Sequence, residues 1–125
     1  MKKQEVQILG FDLGASSGRA IIGRFDGERI SYEEIHRFSN EPVRVNADYY
    51  WDILGLWQEI KTGIKKAIGQ GIDLASIAVD TWGVDYGLID HQGRLLSNPY
   101  HYRDQRTAEV MPRLVNELGA EYLYE

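Results

Sequence analysis

The sequence predicts an α/β fold built on a mixed sheet, and three observations carry that prediction. Val6–Leu13 is an almost unbroken apolar run, as expected of a central strand covered on both faces. Two more strand-like runs follow across tight turns, which implies a three-stranded antiparallel meander. A helical segment then leads into a second apolar run, Ser76–Val79, and a strand reached through a helix can lie parallel to the first.

Each element has its own signal. Arg19–Phe25 alternates imperfectly, with Ile21 and Phe25 on one side and Ile22 on the other. Asp26-Gly27 is a hairpin turn signal. Arg29–Phe38 reads as the third strand, with Ile30, Tyr32 and Phe38 on one parity. The polar stretch Ser39–Asp48, which holds Pro42, reads as loop. Ile53, Leu56, Trp57, Ile60, Ile64, Ala67 and Ile68 recur at helical spacing. Asp48 or Asp52 would cap that helix at its start, and Gly69 or Gly71 would end it. Trp51 and Trp57 are assigned to its core, with no functional role. The strand Ser76–Val79 ends at Asp80, beside the end of the first strand and Asp12. Asp85–Asp90 and Arg94–Leu96 flank the turn "DHQG" and suggest an inserted hairpin. A flanking helix is expected from Asp104, with Val110, Leu114, Val115 and Leu118 inward and Gly119 at its end. Pro112 would either kink it or start a second helix. The final "RLVNELGAEYLYE" is amphipathic and carries no stop signal, so residues 1–125 are expected to be a partial domain of a longer protein.

Composition narrows the functional classes. With 43% hydrophobic and 26% charged residues, the chain reads as globular and soluble. Its formal charge of −5 argues against a nucleic-acid surface. Cysteine is absent from the sequence, which removes disulfides and thiolate metal sites. His36, His91 and His101 lack metal-ligand spacing. The start "MKKQEVQILGF" does not resemble a signal peptide, and no apolar run approaches the roughly 20 residues that span a bilayer. A cytoplasmic protein with no membrane partner is expected.

The stretch with chemical content is "GFDLGASSGR", Gly10 to Arg19. It is neither G-x-G-x-x-G nor a Walker A loop, and a strand rather than a helix follows it. It is a strand-to-strand turn of small residues. Two readings stand. In one, backbone N–H groups and the hydroxyls of Ser16 and Ser17 meet phosphate oxygens, Arg19 adds a guanidinium, and Asp12 faces a Mg²⁺ ion lying between. In the other, this is a tight hairpin whose glycines serve positive φ and whose aspartate caps the turn.

The residues "FDLGASSGR" (11–19) resemble the first phosphate motif of the FGGY carbohydrate kinases, members of the actin/hexokinase/Hsp70-like ATPases. "IAVDTWGVDYGLID" (77–90), "NPYHYRDQRT" (98–107) and "EIHRFSN" (34–40) extend the likeness over about residues 8 to 107. The resemblance implies a ribonuclease H-like domain in a two-domain enzyme, with ATP and sugar in the cleft between the domains. It implies transfer of the γ-phosphoryl group of ATP, with Mg²⁺, to O1 of a ketose, L-rhamnulose. Ala15, Ser16, Ser17, Gly18 and Arg19 would line the ATP phosphates. Asp12 would bind Mg²⁺ through water, and Gly83 would lie against the sugar. The resemblance assigns the general base and the adenosine contacts to the second domain. No catalytic residue is therefore expected in this chain, and no turnover from it alone.

Other candidates carry two readings each. Asp80 is a second candidate for the metal, and Asp85 would support the sugar loop; both could equally be ordinary strand-end and turn carboxylates. Trp82 would stack on the sugar or pack in the core. Tyr102 would form an aromatic wall, and Arg103 would bond sugar hydroxyls. The simpler alternative is that Asp104 caps a helix and the arginines form surface pairs, which is preferred for Arg106. Two other functions remain open: an FGGY kinase of fuculose or xylulose, and a non-catalytic sugar- or nucleotide-binding module. An exposed cleft face also predicts weak self-association, as a dimer.

Overall fold

A computed structural model describes residues 5–124. Its centre is a four-stranded sheet of β1 (Val6–Leu13), β2 (Ser17–Phe25), β3 (Ile30–Ser39) and β6 (Leu74–Thr81). The spatial order is β3-β2-β1-β6, antiparallel through the meander and parallel between β1 and β6. The crossover contains a small hairpin, β4 (Val43–Val45) and β5 (Asp48–Tyr50), and then helix α1 (Ile53–Gly69). After β6 come an irregular segment, a 3₁₀ turn (Gln105–Thr107), α2 (Val110–Leu118) and α3 (Ala120–Tyr124).

The core lies between one face of the sheet and α1. Leu9, Phe11, Leu13, Ala20, Ile22 and Phe38 meet Leu56 and Ala67. Gly63 marks the closest approach: a Cβ there would lie 2.7 Å from the Phe11 ring and 2.9 Å from Ala20 Cβ. The Asp52 side chain caps α1 by accepting from Gly55 N at 3.0 Å. Of the two glycines expected to end the helix, Gly71 takes the left-handed conformation, with φ 72°. At the first hairpin Asp26 Oδ1 accepts from Glu28 N and Arg29 N, both at 2.8 Å, and Gly27 adopts φ 98°. Those N–H groups hold the Asp26 carboxyl below its ordinary range.

Several expectations are corrected. The register shift between β2 and β3 at Ala20/Ile21 inserts a bulge, so Phe38 faces α1 while Ile30 and Tyr32 fall on the opposite, exposed face. One extra residue reverses the parity of everything beyond it. Ser39–Asp48 is not all loop, since β4 and β5 pair through a turn at Asn46, whose φ is 56°. Trp57 is 55% exposed, with the Lys61 ammonium 5.9 Å from its ring centroid, because the face of α1 that meets the sheet carries Ile53, Leu56, Ile60, Gly63, Ile64 and Ala67 and leaves Trp57 and Ile68 outside it. Trp51 precedes the helix altogether. The expected hairpin about residues 90–93 is present but minimal, an antiparallel bridge of Ile89 with Leu95 flanked by Asp90 N donating to Arg94 O and Leu96 N to Leu88 O. The helix from Asp104 divides into the 3₁₀ turn and α2, and Pro112 sits in the first turn of α2, where its missing N–H costs no bond. Leu118 is exposed rather than inward.

Candidate functional site

The turn between β1 and β2 is shorter than the sequence suggested, because Ser17 and Gly18 already belong to β2. Gly14 N donates to Ser17 O at 2.9 Å and closes it. The buried Asn40 braces it from behind: its N donates to Ser16 O at 3.0 Å and its Nδ2 to Gly14 O at 2.8 Å. Across a trans peptide C=O and N–H point in opposite directions, so fixing the Gly14 carbonyl on Asn40 turns the Ala15 N–H outward. Among the described residues that N–H finds no acceptor. Neither Gly14 nor Gly18 has positive φ. Their requirement is space: a Cβ on Gly14 would lie 2.9 Å from Ser17 O, and one on Gly18 would strike the Phe38 ring. The hairpin reading based on left-handed glycines is therefore incorrect at these two positions.

The strand register assembles a charged row at the end of the sheet. Asp80, Asp12, Arg19 and Arg37 are successive neighbours on β6, β1, β2 and β3. Adjacent strands lie about 4.8 Å apart, so the two carboxylates stand side by side, as do the two guanidinium groups. Arg19 donates to Asp12 Oδ2 at 2.5 Å, and both side chains remain substantially exposed. Arg37 grips Glu34 with two bonds of 2.9 and 2.6 Å, which holds the Glu34 carboxyl below its usual range. The Asp12–Asp80 oxygens suit a hard, oxygen-seeking cation such as Mg²⁺. Among the described residues no cluster of three or more metal-ligating side chains exists, so a cation here would complete its shell with water and ligand oxygens.

The chain leaves β6 just past Asp80 and enters the loop Trp82-Gly83-Val84-Asp85. Val84 has φ 69°, a left-handed conformation that a β-branched residue adopts only under constraint. The constraint is visible: Asp85 Oδ2 accepts from Trp51 Nε1 at 2.6 Å and from Trp82 Nε1 at 3.1 Å. Gly83 has no such internal reason, since a Cβ there would meet nothing within 4 Å. Behind the loop stands an aromatic stack. Trp51 lies 4.3 Å from Trp82 and 4.1 Å from His101, and His101 lies 4.4 Å from Tyr102, all between ring centroids. His101 Nδ1 accepts from Arg103 N at 3.0 Å. Burial holds the His101 pKa below its ordinary value, partly offset by the Asp85 carboxylate, and Arg103 pushes the same way as burial. Val84, Asp85, Tyr86, Asn98, Tyr102 and Thr107 are among the residues that line a cleft of about 490 Å³.

The sequence-derived candidates thus form two adjoining groups. Asp12, Ala15, Ser16, Ser17, Gly18, Arg19 and Asp80 share the strand ends, with Gly18 buried against Phe38 rather than open. Trp82 and Tyr102 belong to the aromatic stack, separated by Trp51 and His101, and Trp82 also packs against the core; neither Trp82 nor Gly83 lines the cleft. Arg103 stands apart from the cleft, its guanidinium 5.2 Å from the Tyr102 ring centroid. Asp104 caps the 3₁₀ turn and also reaches β5, accepting from Arg106 N at 2.8 Å and Tyr49 N at 2.7 Å. Those N–H groups hold its carboxyl below the ordinary range. The Arg106 guanidinium covers the Tyr100 ring at 3.9 Å. Two residues were missed. Asn40 gave a signal, as the last residue of "EIHRFSN", but no role. Trp51 gave none, because its position next to α1 resembles helix core.

The fold is the mixed α/β architecture of the actin/hexokinase type. Gluconate kinase from Lactobacillus acidophilus superposes with a TM-score of 0.76 at 15% identity, covering 97% of this chain and 24% of that one. Xylulose kinase from the same organism gives 0.74 at 16% identity, covering 94% and 24%. The model of the FGGY family of carbohydrate kinases, N-terminal domain, matches residues 7–125, and the chain belongs to that family. It is 46% identical over 121 residues to a rhamnulokinase from Mannheimia succiniciproducens, covering 95% of this chain and 25% of that protein. The chain therefore spans about a quarter of the length of the relatives it matches.

Proposed function

We propose that this chain forms the phosphate- and sugar-facing part of an ATP-dependent ketose kinase whose substrate is L-rhamnulose and whose product is L-rhamnulose 1-phosphate. The observation that carries the reading is the in-register row Asp80–Asp12–Arg19 beside the braced, small-residue turn. Ala15, Ser16 and Ser17 present N–H and hydroxyl donors to the ATP phosphates. Gly18 lets Phe38 pack beneath the turn. The Arg19 guanidinium exchanges Asp12 for a phosphate oxygen. Asp12 and Asp80 then hold Mg²⁺ through its water. Bound there, Mg²⁺ supplies neutralisation of charge on the phosphate oxygens.

The sugar takes the adjoining cleft. Gly83 admits it because no other part of the chain needs that space. Trp82 and Tyr102 offer aromatic faces, and Arg103, outside the cleft lining, approaches the sugar from its place over the Tyr102 ring. The preference for L-rhamnulose over other ketoses rests on the relative with 46% identity. In the whole protein a second domain supplies the general base and the adenosine contacts. This chain alone positions substrate without turning it over, since phosphoryl transfer depends on alignment and exclusion of water. The exposed apolar face with Phe25, Ile30 and Tyr32 supports weak self-association of the chain when it is alone. No described helix is long and apolar enough to cross a membrane.

The test is a titration with Mg²⁺-ATP, following the backbone amides of residues 14–19. Weak binding with shifts concentrated there is expected, reduced in Arg19→Gln. Shifts centred elsewhere, or none at millimolar nucleotide, would overturn the nucleotide assignment. In the whole protein, a ketose panel led by some substrate other than L-rhamnulose would replace the sugar assignment.

A further inference from the structure

We infer that Trp51 is a positioning residue for the sugar-facing wall, holding Trp82 and Tyr102 in fixed relation through one buried stack. The inference rests on the reading that the adjoining cleft receives a ketose. Trp51 is 2% exposed yet stands outside the hydrophobic core beneath α1. It lies in the link between β5 and α1, where its N donates to Pro99 O at 2.9 Å. Its ring stacks on Trp82, which leads into the loop carrying Asp85, at 4.3 Å, and on His101, which lines the cleft, at 4.1 Å. His101 passes the stacking on to Tyr102. The indole N–H meets the same Asp85 oxygen that receives the Trp82 N–H.

Two chain segments distant from it, 82–85 and 99–102, therefore converge on one planar group. The loop at residues 82–85 and the segment 101–102 make no direct aromatic pair in this arrangement; Trp51 is the layer between them. Asp85, His101 and Tyr102 all line the cleft, so a displacement at Trp51 reaches its wall directly at Asp85 and His101 and through His101 at Tyr102. The geometry has redundancy in one respect only. The shared carboxylate fixes how the two indoles are rotated, while stacking fixes how far apart they stand. A residue serving packing alone would not couple Trp82 to Tyr102.

Two variants separate these parts: Trp51→Phe keeps a ring and removes the N–H, and Asp85→Asn keeps an acceptor and removes the charge. Two indoles this close couple their electronic transitions, so the chain should show a tryptophan exciton couplet in circular dichroism. Trp51→Phe should abolish it and shift both the Trp82 indole N–H and the Tyr102 ring signals. The amides of β1 and β2, and the indole of exposed Trp57, should stay in place and report an intact fold. Asp85→Asn should shift both indole N–H signals, less than Asp85→Leu does. In the whole kinase, Trp51→Phe should raise the KM for the ketose on the order of tenfold and leave that for Mg²⁺-ATP unchanged. Unmoved Tyr102 or Trp82 signals in Trp51→Phe, or equal rises in both KM values, would overturn the inference. Absence of ketose turnover by the unsubstituted kinase would instead sink the functional reading, and the ring signals would still decide whether Trp51 couples the two walls.

Discussion

The small-residue turn after β1 and the aromatic wall after β6 start from neighbouring strand ends, Leu13 and Thr81, yet they are built in opposite ways. The turn is made of backbone. Its strands pair as near neighbours in sequence, its side chains are small, and one buried amide, Asn40, braces it from 26 residues away. The wall is made of side chains. Its bonds span 34 residues from Trp51 to Asp85 and 55 from Tyr49 to Asp104. A backbone cradle tolerates little added volume, whereas a stacked wall depends on ring shape and on shared acceptors. The first should fail by collision, and the second by loss of alignment.

The comparison can be broken most forcefully at Gly18. Gly18→Ala places a methyl against the Phe38 ring and should destabilise the chain by about 1–3 kcal/mol or more. Thermal unfolding of Gly18→Ala beside Gly18→Ala/Phe38→Leu checks this, and the second substitution should recover part of the loss. No difference between them would mean that collision is not what restricts the turn. Next in size is Asn40→Ala, which leaves the Gly14 carbonyl without its side-chain partner at a cost of about 1–3 kcal/mol. Amide exchange should speed up at Gly14, whose N–H closes the turn on Ser17 O, while the Trp82 and Tyr102 signals stay fixed, as expected if the two regions are independently built.

The smallest expected effect is on pH dependence, and it belongs to the wall. The folded chain favours neutral His101, so the unfolded chain takes up a proton first as pH falls below about 6.5. Stability should therefore decline from pH 7 toward 5.5, and His101→Gln should flatten that slope. Asp104 adds a second decline at lower pH. Its folded pKa is depressed, so its contribution is present above the ordinary carboxylate range and fades as pH drops through the lowered value. A melting temperature flat from pH 7 to 5.5 would contradict the His101 part.

Much of the architecture was legible because it follows local periodicity. The apolar run of β1, the Asp26-Gly27 turn, the amphipathic α1 and the neighbouring of Asp12 with Asp80 all emerge from patterns within short windows. The errors share one cause. The bulge before Ile21, the exposure of Trp57 and the place of Trp51 depend on where elements meet, and residue type alone does not encode that. Asn40 stood out only as the last residue of "EIHRFSN", and its two bonds to the turn give it a role.

By itself the sequence determined which segments could be strands or helix, and which positions had to be small, because those follow from the period of each element and the absence of a Cβ. Tertiary structure alone decided that Gly18 is small for Phe38, that Asn40 braces the turn, and that Trp51 stacks behind the cleft lining rather than belonging to α1. Those outcomes rest on contacts between residues distant in the chain, whose geometry is set only when the sheet register and the crossover are in place.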